Sequence, residues 1–394
     1  MPLLCLLPSI LLAAPQPALD DTARLARGSN AFAFDLYRQL KAEPGNRVFS
    51  PASISTALAM AWGGAKGETA AQMKQVLRFE GSPEVVMRAS GRLAATLQDP
   101  SRPIVFRIAN RLFAEKTFSL DAAYLEATRA AFGGALEPVD FKGSPEAARI
   151  LINGWVERKT EKRIRDLLPP NSLNSATRLV LANAIYFLGG WKKPFTKEAT
   201  GPAPFSASAA LKKDVPTMHV QSSFRFAQKD GLKALALPYE GGSLSMLVVL
   251  PDRVDGLAAL EDSLTAPVLD GLVKSLESTQ VMVALPKFEL GPPTLALGDA
   301  LRRMGMPLAF DPERADFTRI AKDPRDRLFI AEAYHKAFVK VDEKGTEAAA
   351  ASAGNMWDSA PAEFKADHPF LFLIRDEASG LVLFLGRVAD PSGE

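Results

Sequence analysis

Near its C-terminal end the chain reads Val341-Asp342-Glu343-Lys344-Gly345-Thr346-Glu347-Ala348-Ala349-Ala350-Ala351-Ser352-Ala353-Gly354-Asn355. From Gly345 onward this stretch has no large apolar side chain, so nothing in it can anchor to a core. It follows a strand-like run at 337–341 and leads into Met356-Trp357-Asp358-Ser359-Ala360-Pro361. Structureless connections of about 20 residues are uncommon inside a compact domain, and are usually functional or disordered. On composition alone the segment reads as a flexible alanine-rich linker, an exposed helix or a functional loop.

Outward from this loop the pattern is mixed. Residues 370–374 and 381–385 flank Glu377-Ala378-Ser379-Gly380 and read as a closing hairpin. Residues 179–187 and 244–250 are short apolar runs expected of central strands buried on both faces, with 281–285 a further strand. Gly241-Gly242-Ser243 reads as a turn between strands. Earlier, Phe32, Leu36 and Leu40 recur at helical spacing, with the folded body starting near Ser29. Ser50-Pro51 opens a helix, Ser as N-cap and Pro at the first position, and Gly63-Gly64 ends it. Its residues are almost all apolar or small, which places it inside the protein. Ser144-Pro145 repeats the start signal before a helix through Trp155 and Val156. Helices crowd the first third and strands the remainder, without internal repeat, long linker or charge block. That is the pattern of one α+β domain.

Composition sets the class. The 394 residues are 47% hydrophobic and 23% charged, ordinary for a soluble globular protein. Lys plus Arg (47) nearly balances Asp plus Glu (45), which gives no electrostatic case for nucleic acid or an anionic membrane. Residues 3–14 form an apolar run broken by Pro8 and Ser9, too short to span a bilayer and about right for a signal-peptide core. Residues 1–18 are therefore expected to be a signal peptide and the domain to be 19–394, secreted or periplasmic, although no Lys or Arg precedes the run. The sole cysteine, Cys5, lies inside it, so a processed chain would hold no disulfide.

Catalytic signatures are missing. The three histidines, His219, His335 and His368, form no HExxH and no repeated metal-ligand spacing. No G-x-S-x-G elbow, P-loop or G-x-G-x-x-G follows a strand. A scattered Ser-His-Asp site, defined by geometry, stays open at this stage.

Several separate segments resemble the serpin family, in the right order. Asn46-Arg47-Val48-Phe49-Ser50-Pro51-Ala52-Ser53-Ile54 with Ala57-Leu58-Ala59-Met60 is similar to the family's early buried helix, followed by Gly64-Ala65-Lys66-Gly67-Glu68-Thr69. Asn183-Ala184-Ile185-Tyr186-Phe187 with Gly190-Trp191 and Pro194-Phe195 resembles a central strand and its exit. The stretch from Val341 to Ala350 resembles the hinge of inhibitory members. Asp367-His368-Pro369-Phe370-Leu371-Phe372 and Gly386-Arg387-Val388 resemble the C-terminal strands.

This resemblance implies one metastable α+β domain of three β-sheets with about eight or nine helices, and an exposed reactive loop at about 343–363. The implied function is suicide-substrate inhibition. A serine or cysteine protease attacks the loop and forms an acyl-enzyme, and the loop then inserts into the main sheet and traps it; serpin insertion is a named case of strand addition. The implied hinge residues are Glu343, Gly345, Thr346, Ala348, Ala350 and Ser352. Ser50, Ser53, Asn183 and His335 resemble the polar cluster called the shutter, and Trp191, Lys287 and Glu343 the breach where insertion begins. No cofactor or metal is expected, and the chain is expected to be a monomer that is not an enzyme.

The hinge composition suits insertion. Strand alternation sends Thr346, Ala348, Ala350, Ser352 and Gly354 to one face, all small and uncharged, and Glu347 to the other. Ser359, 14 residues past Gly345, and Ala360 flank the expected scissile bond. The interval from Gly345 to Phe364 is shorter than is common in the family, so Asp358, Trp357 and Met356 remain alternatives. Each implies a different target: elastase- or subtilisin-like for Ser359, aspartate-directed for Asp358, chymotrypsin-like for Trp357 or Met356. A non-inhibitory serpin that binds a ligand or assists folding is the alternative function.

Overall fold

The computed structural model describes residues 20–134, 136–208, 210–323, 325–345 and 360–393. The readings placed on 1–18, on Thr346, Ala348, Ala350 and Ser352, and on Met356, Trp357, Asp358 and Ser359 lie outside the described residues.

In chain order the elements begin α1 (Asp21–Leu40), β1 (Arg47–Phe49), α2 (Pro51–Gly64), α3 (Gly67–Val76) and α4 (Pro83–Leu97). Next come β2 (Ile104–Glu115), α5 (Ala122–Phe132), β3 (Leu136–Val139), α6 (Pro145–Lys159), β4 (Leu179–Gly189) and β5 (Gly201–Ser206). Then follow β6 (Lys212–Lys229), β7 (Leu232–Pro238), β8 (Leu244–Pro251), α7 (Leu257–Ser263), α8 (Ala266–Lys274) and β9 (Glu277–Pro286). The chain closes with β10 (Phe288–Leu290), β11 (Leu295–Ala296), α9 (Gly298–Met304), β12 (Ile330–Val341), β13 (Ala362–Lys365), β14 (Phe370–Asp376) and β15 (Val382–Val388).

The expected three sheets appear as two continuous ladders among the described residues. The smaller has the order β10-β12-β4-β2-β3, with β11 also on β12. The larger runs β1-β15-β14-β8-β7-β6-β9-β13, with β5 on β6. It is continuous because β6, at 18 residues, serves two halves: its start pairs with β5 and its end with β7. The fold class is α+β.

Helix α2 fulfils its sequence pattern. Ser50 accepts a hydrogen bond from the Ser53 N–H (3.2 Å), Pro51 follows, and every residue from Pro51 to Gly64 is buried. The helix ends at Gly64 as expected, and both glycines are also closely packed, since a Cβ would meet Met87 at Gly63 and Ile320 at Gly64. Helix α1 starts at Asp21, ahead of Ser29, since Asp20 caps it by accepting from the Ala23 N–H (2.7 Å). Ser144 precedes α6 but makes no side-chain cap. The hairpin β14–β15 closes around Gly380 as expected.

Strand β4 lies between β2, antiparallel, and β12, parallel, and is buried on both faces at all but Leu188. Its inner face meets the large sheet through Ile185 and Phe187. Its outer face, with Val180, Ala182 and Ala184, is covered by Ile152, Trp155 and Val156 of α6. Among the described residues no helix is long and apolar enough to cross a membrane.

Candidate functional site: the seam of the smaller sheet

Strands β12 and β4 pair directly, from Ile330 against Leu179 to Phe338 against Tyr186. They are parallel neighbours joined by a long crossover, and parallel ladders are slightly less stable per residue than antiparallel ones. Beneath the middle of this seam sits a polar cluster in an otherwise apolar interior.

His335 and Asn183 are register partners across the seam, and both are fully buried. The His335 Nε2 accepts from the Ser50 backbone N–H (3.0 Å). A backbone N–H can only donate, so in the neutral ring the proton sits on Nδ1, which bonds the Asn183 Oδ1. The Asn183 amide in turn donates to the Ser53 Oγ (2.8 Å) and the Ser53 carbonyl (3.1 Å). Burial pushes the His335 pKa down to about 3, so the ring is neutral at physiological pH. The cluster thus ties α2 to both strands of the seam through neutral, directional bonds. Ser50, Ser53, Asn183 and His335 are brought together in one hydrogen-bonded group.

One member was missed. Asn110 of β2 bonds the Asn183 amide and accepts from the Ser53 hydroxyl (3.2 Å). It faces Asn183 in register. The signal was present: Asn110 is the lone amide of its strand, set among apolar and long cationic residues up to the terminal Glu115 and two positions from Ile108 and Leu112.

At the end of the seam β12 stops in a tight turn. Asp342 and Gly345 exchange both backbone hydrogen bonds (3.2 and 3.1 Å), and the Lys344 N–H is held by the Asp342 carboxylate (3.0 Å). Gly345 also bridges to Gly190, just past β4. Its φ is +95°, and a Cβ there would lie 2.4 Å from the Trp191 nitrogen and 2.5 Å from the Gly189 oxygen. Only glycine fits. The Trp191 indole donates to the Asp342 carbonyl (3.0 Å), and its ring stacks on Tyr239 at 4.5 Å. Lys287 closes the group by ion-pairing Glu343 at 2.9 Å. Burial works against the Glu343 charge, but the hydrogen bond from Lys287 and a backbone bond hold its carboxyl below the usual range. The lysine is partly exposed, which screens the pair. Trp191, Lys287, Glu343 and Gly345 thus share one site at the seam's end.

The chain returns to the described structure at Ala360, which is exposed. Strand β13 then pairs with β9 in the other sheet, with Phe364 fully buried as its anchor. The loop is therefore tethered to one sheet at Gly345 and to the other at Ala362.

The histidines do not converge on chemistry. His219 is exposed on β6. The ring nitrogens of His368 face the Asp367 carboxylate (2.8 Å) and the Pro251 carbonyl (2.6 Å), two acceptors that suit the protonated ring. Burial lowers its pKa, but those partners outweigh burial and raise it. Neither buried histidine bonds a serine or threonine hydroxyl among the described residues. Nor do those residues hold a group of three His, Cys, Asp or Glu able to bind a metal ion.

The family described as Serpin (serine protease inhibitor) matches residues 27–391. The chain belongs to the serpin family. The leukocyte elastase inhibitor of Equus caballus is 40% identical over 381 residues, covering 93% of this chain and 100% of that relative. Among solved structures, uncleaved ovalbumin has a TM-score of 0.85 at 33% identity, covering 93% of this serpin and 100% of that chain. Human thyroxine-binding globulin complexed with thyroxine has a TM-score of 0.84 at 28% identity, covering 94% and 99%. Serpins are described as serine protease inhibitors as a family.

Proposed function

We propose that this serpin inhibits a serine or cysteine protease as a suicide substrate, by inserting residues 346–359 as a strand between β12 and β4. The observation that carries the reading is the turn at Asp342–Gly345. It reverses the chain at the end of the seam, so a strand that continued from Gly345 along the seam would be antiparallel to β12 and hence to β4. Insertion exchanges one parallel ladder for two antiparallel ones.

Continuing the Asp342–Gly345 register puts Thr346 opposite Val341, Ala348 opposite Val339, Ala350 opposite Ala337 and Ser352 opposite His335. Opposed residues share a face. All four β12 partners are buried, so the small side chains go inward, and Glu347 goes outward opposite the exposed Lys340. Ser352 arrives at the polar cluster, where its hydroxyl can join the Asn183–His335 bonds.

In the chemical step the protease nucleophile attacks the Ser359 carbonyl, an ester (with a cysteine, a thioester) to the enzyme forms, and the Ser359–Ala360 bond breaks as the amine of Ala360 leaves with the proton taken from the nucleophile. The 14 residues 346–359, at about 3.3 Å each, move the ester by roughly 46 Å. Such a pull separates it from the protease's base and oxyanion donors. Met356, Trp357 and Asp358 are the other candidates for the residue before the cut. The relative named as an elastase inhibitor supports the Ser359 choice and an elastase-like target. Export of the protein rests on residues 3–14 alone, which lie outside the family match.

The thyroxine-binding relative supports a second reading, a non-inhibitory carrier. The two separate on denaturing gels after incubation with elastase-, chymotrypsin- and subtilisin-like enzymes. A covalent complex that survives SDS, with a released peptide starting at Ala360, is the expected result. Cleavage without complex favours the carrier.

A further inference from the structure

A cleft of about 860 Å³ opens on the outer face of β12, between β10 and the strap of residues 160–173 that follows α6. That volume falls in the range of small-molecule sites. Its charge sets it apart. Six cations line it (Lys162, Arg163, Arg165, Lys287, Lys336 and Lys340) against two acids, Asp166 and Glu289, in a chain whose charges otherwise nearly balance.

Much of this charge is uncompensated. Lys287 is paired with Glu343, Arg165 with Glu157 at 3.3 Å, and Lys340 only loosely with Glu289 at 3.7 Å. Lys162, Arg163 and Lys336 have no carboxylate partner among the described residues. Arg163 lies over the Tyr186 ring at 5.5 Å, and the Lys336 ammonium donates to the Arg165 carbonyl (3.1 Å). A concave wall lined by one sign of charge focuses its field on a counter-ion.

The strap crosses the seam. Helix α6 covers β4, whereas the strap is tied to β12 by the Lys336–Arg165 bond and by the Tyr334 hydroxyl donating to the Ser172 carbonyl (3.3 Å). We propose that this cleft binds a compact anion bearing several phosphate or sulfate groups, and that the bound anion fastens strap to β12 and opposes opening of the seam. The clamping half rests on the insertion reading; the binding half does not.

The test is titration calorimetry on the intact chain with inositol hexakisphosphate and, separately, sucrose octasulfate, which distinguish phosphate from sulfate as the preferred group. One saturable site is expected. Affinity should fall on the order of tenfold in Lys162→Ala/Arg163→Ala, two exposed positions, and stay unchanged in Arg88→Ala/Arg92→Ala on α4. The better ligand should slow formation of the protease complex about fivefold. Binding of neither probe, or loss in the α4 variant instead, overturns the site. Variant-sensitive binding with an unchanged rate of complex formation overturns the clamp. Variant-sensitive binding by a chain that traps no protease upholds the site and removes the insertion reading.

Discussion

Gly345 occupies a backbone conformation and a space that exclude any side chain, between the start of the loop and the end of β4. Gly345→Val is expected to lower stability by about 1–3 kcal/mol, read from denaturant unfolding. His335 gives the molecule a pH dependence with a definite sign. Its folded pKa, about 3, lies below the ordinary 6.5, so between those values the unfolded chain binds a proton that the native chain refuses. Stability is therefore intact near neutral pH and is lost as pH falls from about 6.5 toward 3, by up to about 1.4 kcal/mol per unit. Unfolding midpoints measured across that window should fall steeply in the natural protein and less steeply in His335→Gln. An equal slope in both would assign the loss to other groups.

The seam strands explain what sequence could and could not convey about the elements. Ser50-Pro51 specified the start of α2 because cap chemistry is local, and the burial of β4 at all but Leu188 followed from a run that is apolar except for Asn183. Ser144-Pro145 carries the same letters, but no cap bond forms there, since capping also depends on how the chain arrives. Asn110 escaped notice because its partners come from α2 and β4, far away in sequence. The roles of Ser50, Ser53, Asn183 and His335 came from family resemblance; their bonding came from the structure. At this scale the inserted strand's alternation makes a paired prediction. Ala350→Glu aims a carboxylate at the buried face beside Ala337, whereas Ala349→Glu aims it outward beside Phe338. The first should turn inhibitor into substrate, seen as cleavage without complex, and the second should still trap protease. Equal behaviour of the two would contradict the register.

At the scale of the whole molecule, the residues that flank 346–359 sit on different sheets, Gly345 on one and Ala362 on the other. In the proposed insertion, these two tethers keep the uncut segment from pairing along the seam. Cutting between them frees one end. A new strand of 14 residues with a neighbour on each side contributes on the order of 10 kcal/mol from ladder bonds alone. The division of the strands into two ladders was not legible in the sequence, because it depends on one long strand, β6, sharing partners on both sides. The loop's composition was legible, because residues 345–355 carry no large apolar side chain that could anchor to a core. Heat resistance before and after a single cut within residues 346–359 tests the central claim most directly. The cut protein, with both fragments still associated, is expected to unfold more than about 10 °C above the intact one. A cut protein that melts at or below the intact midpoint would contradict insertion.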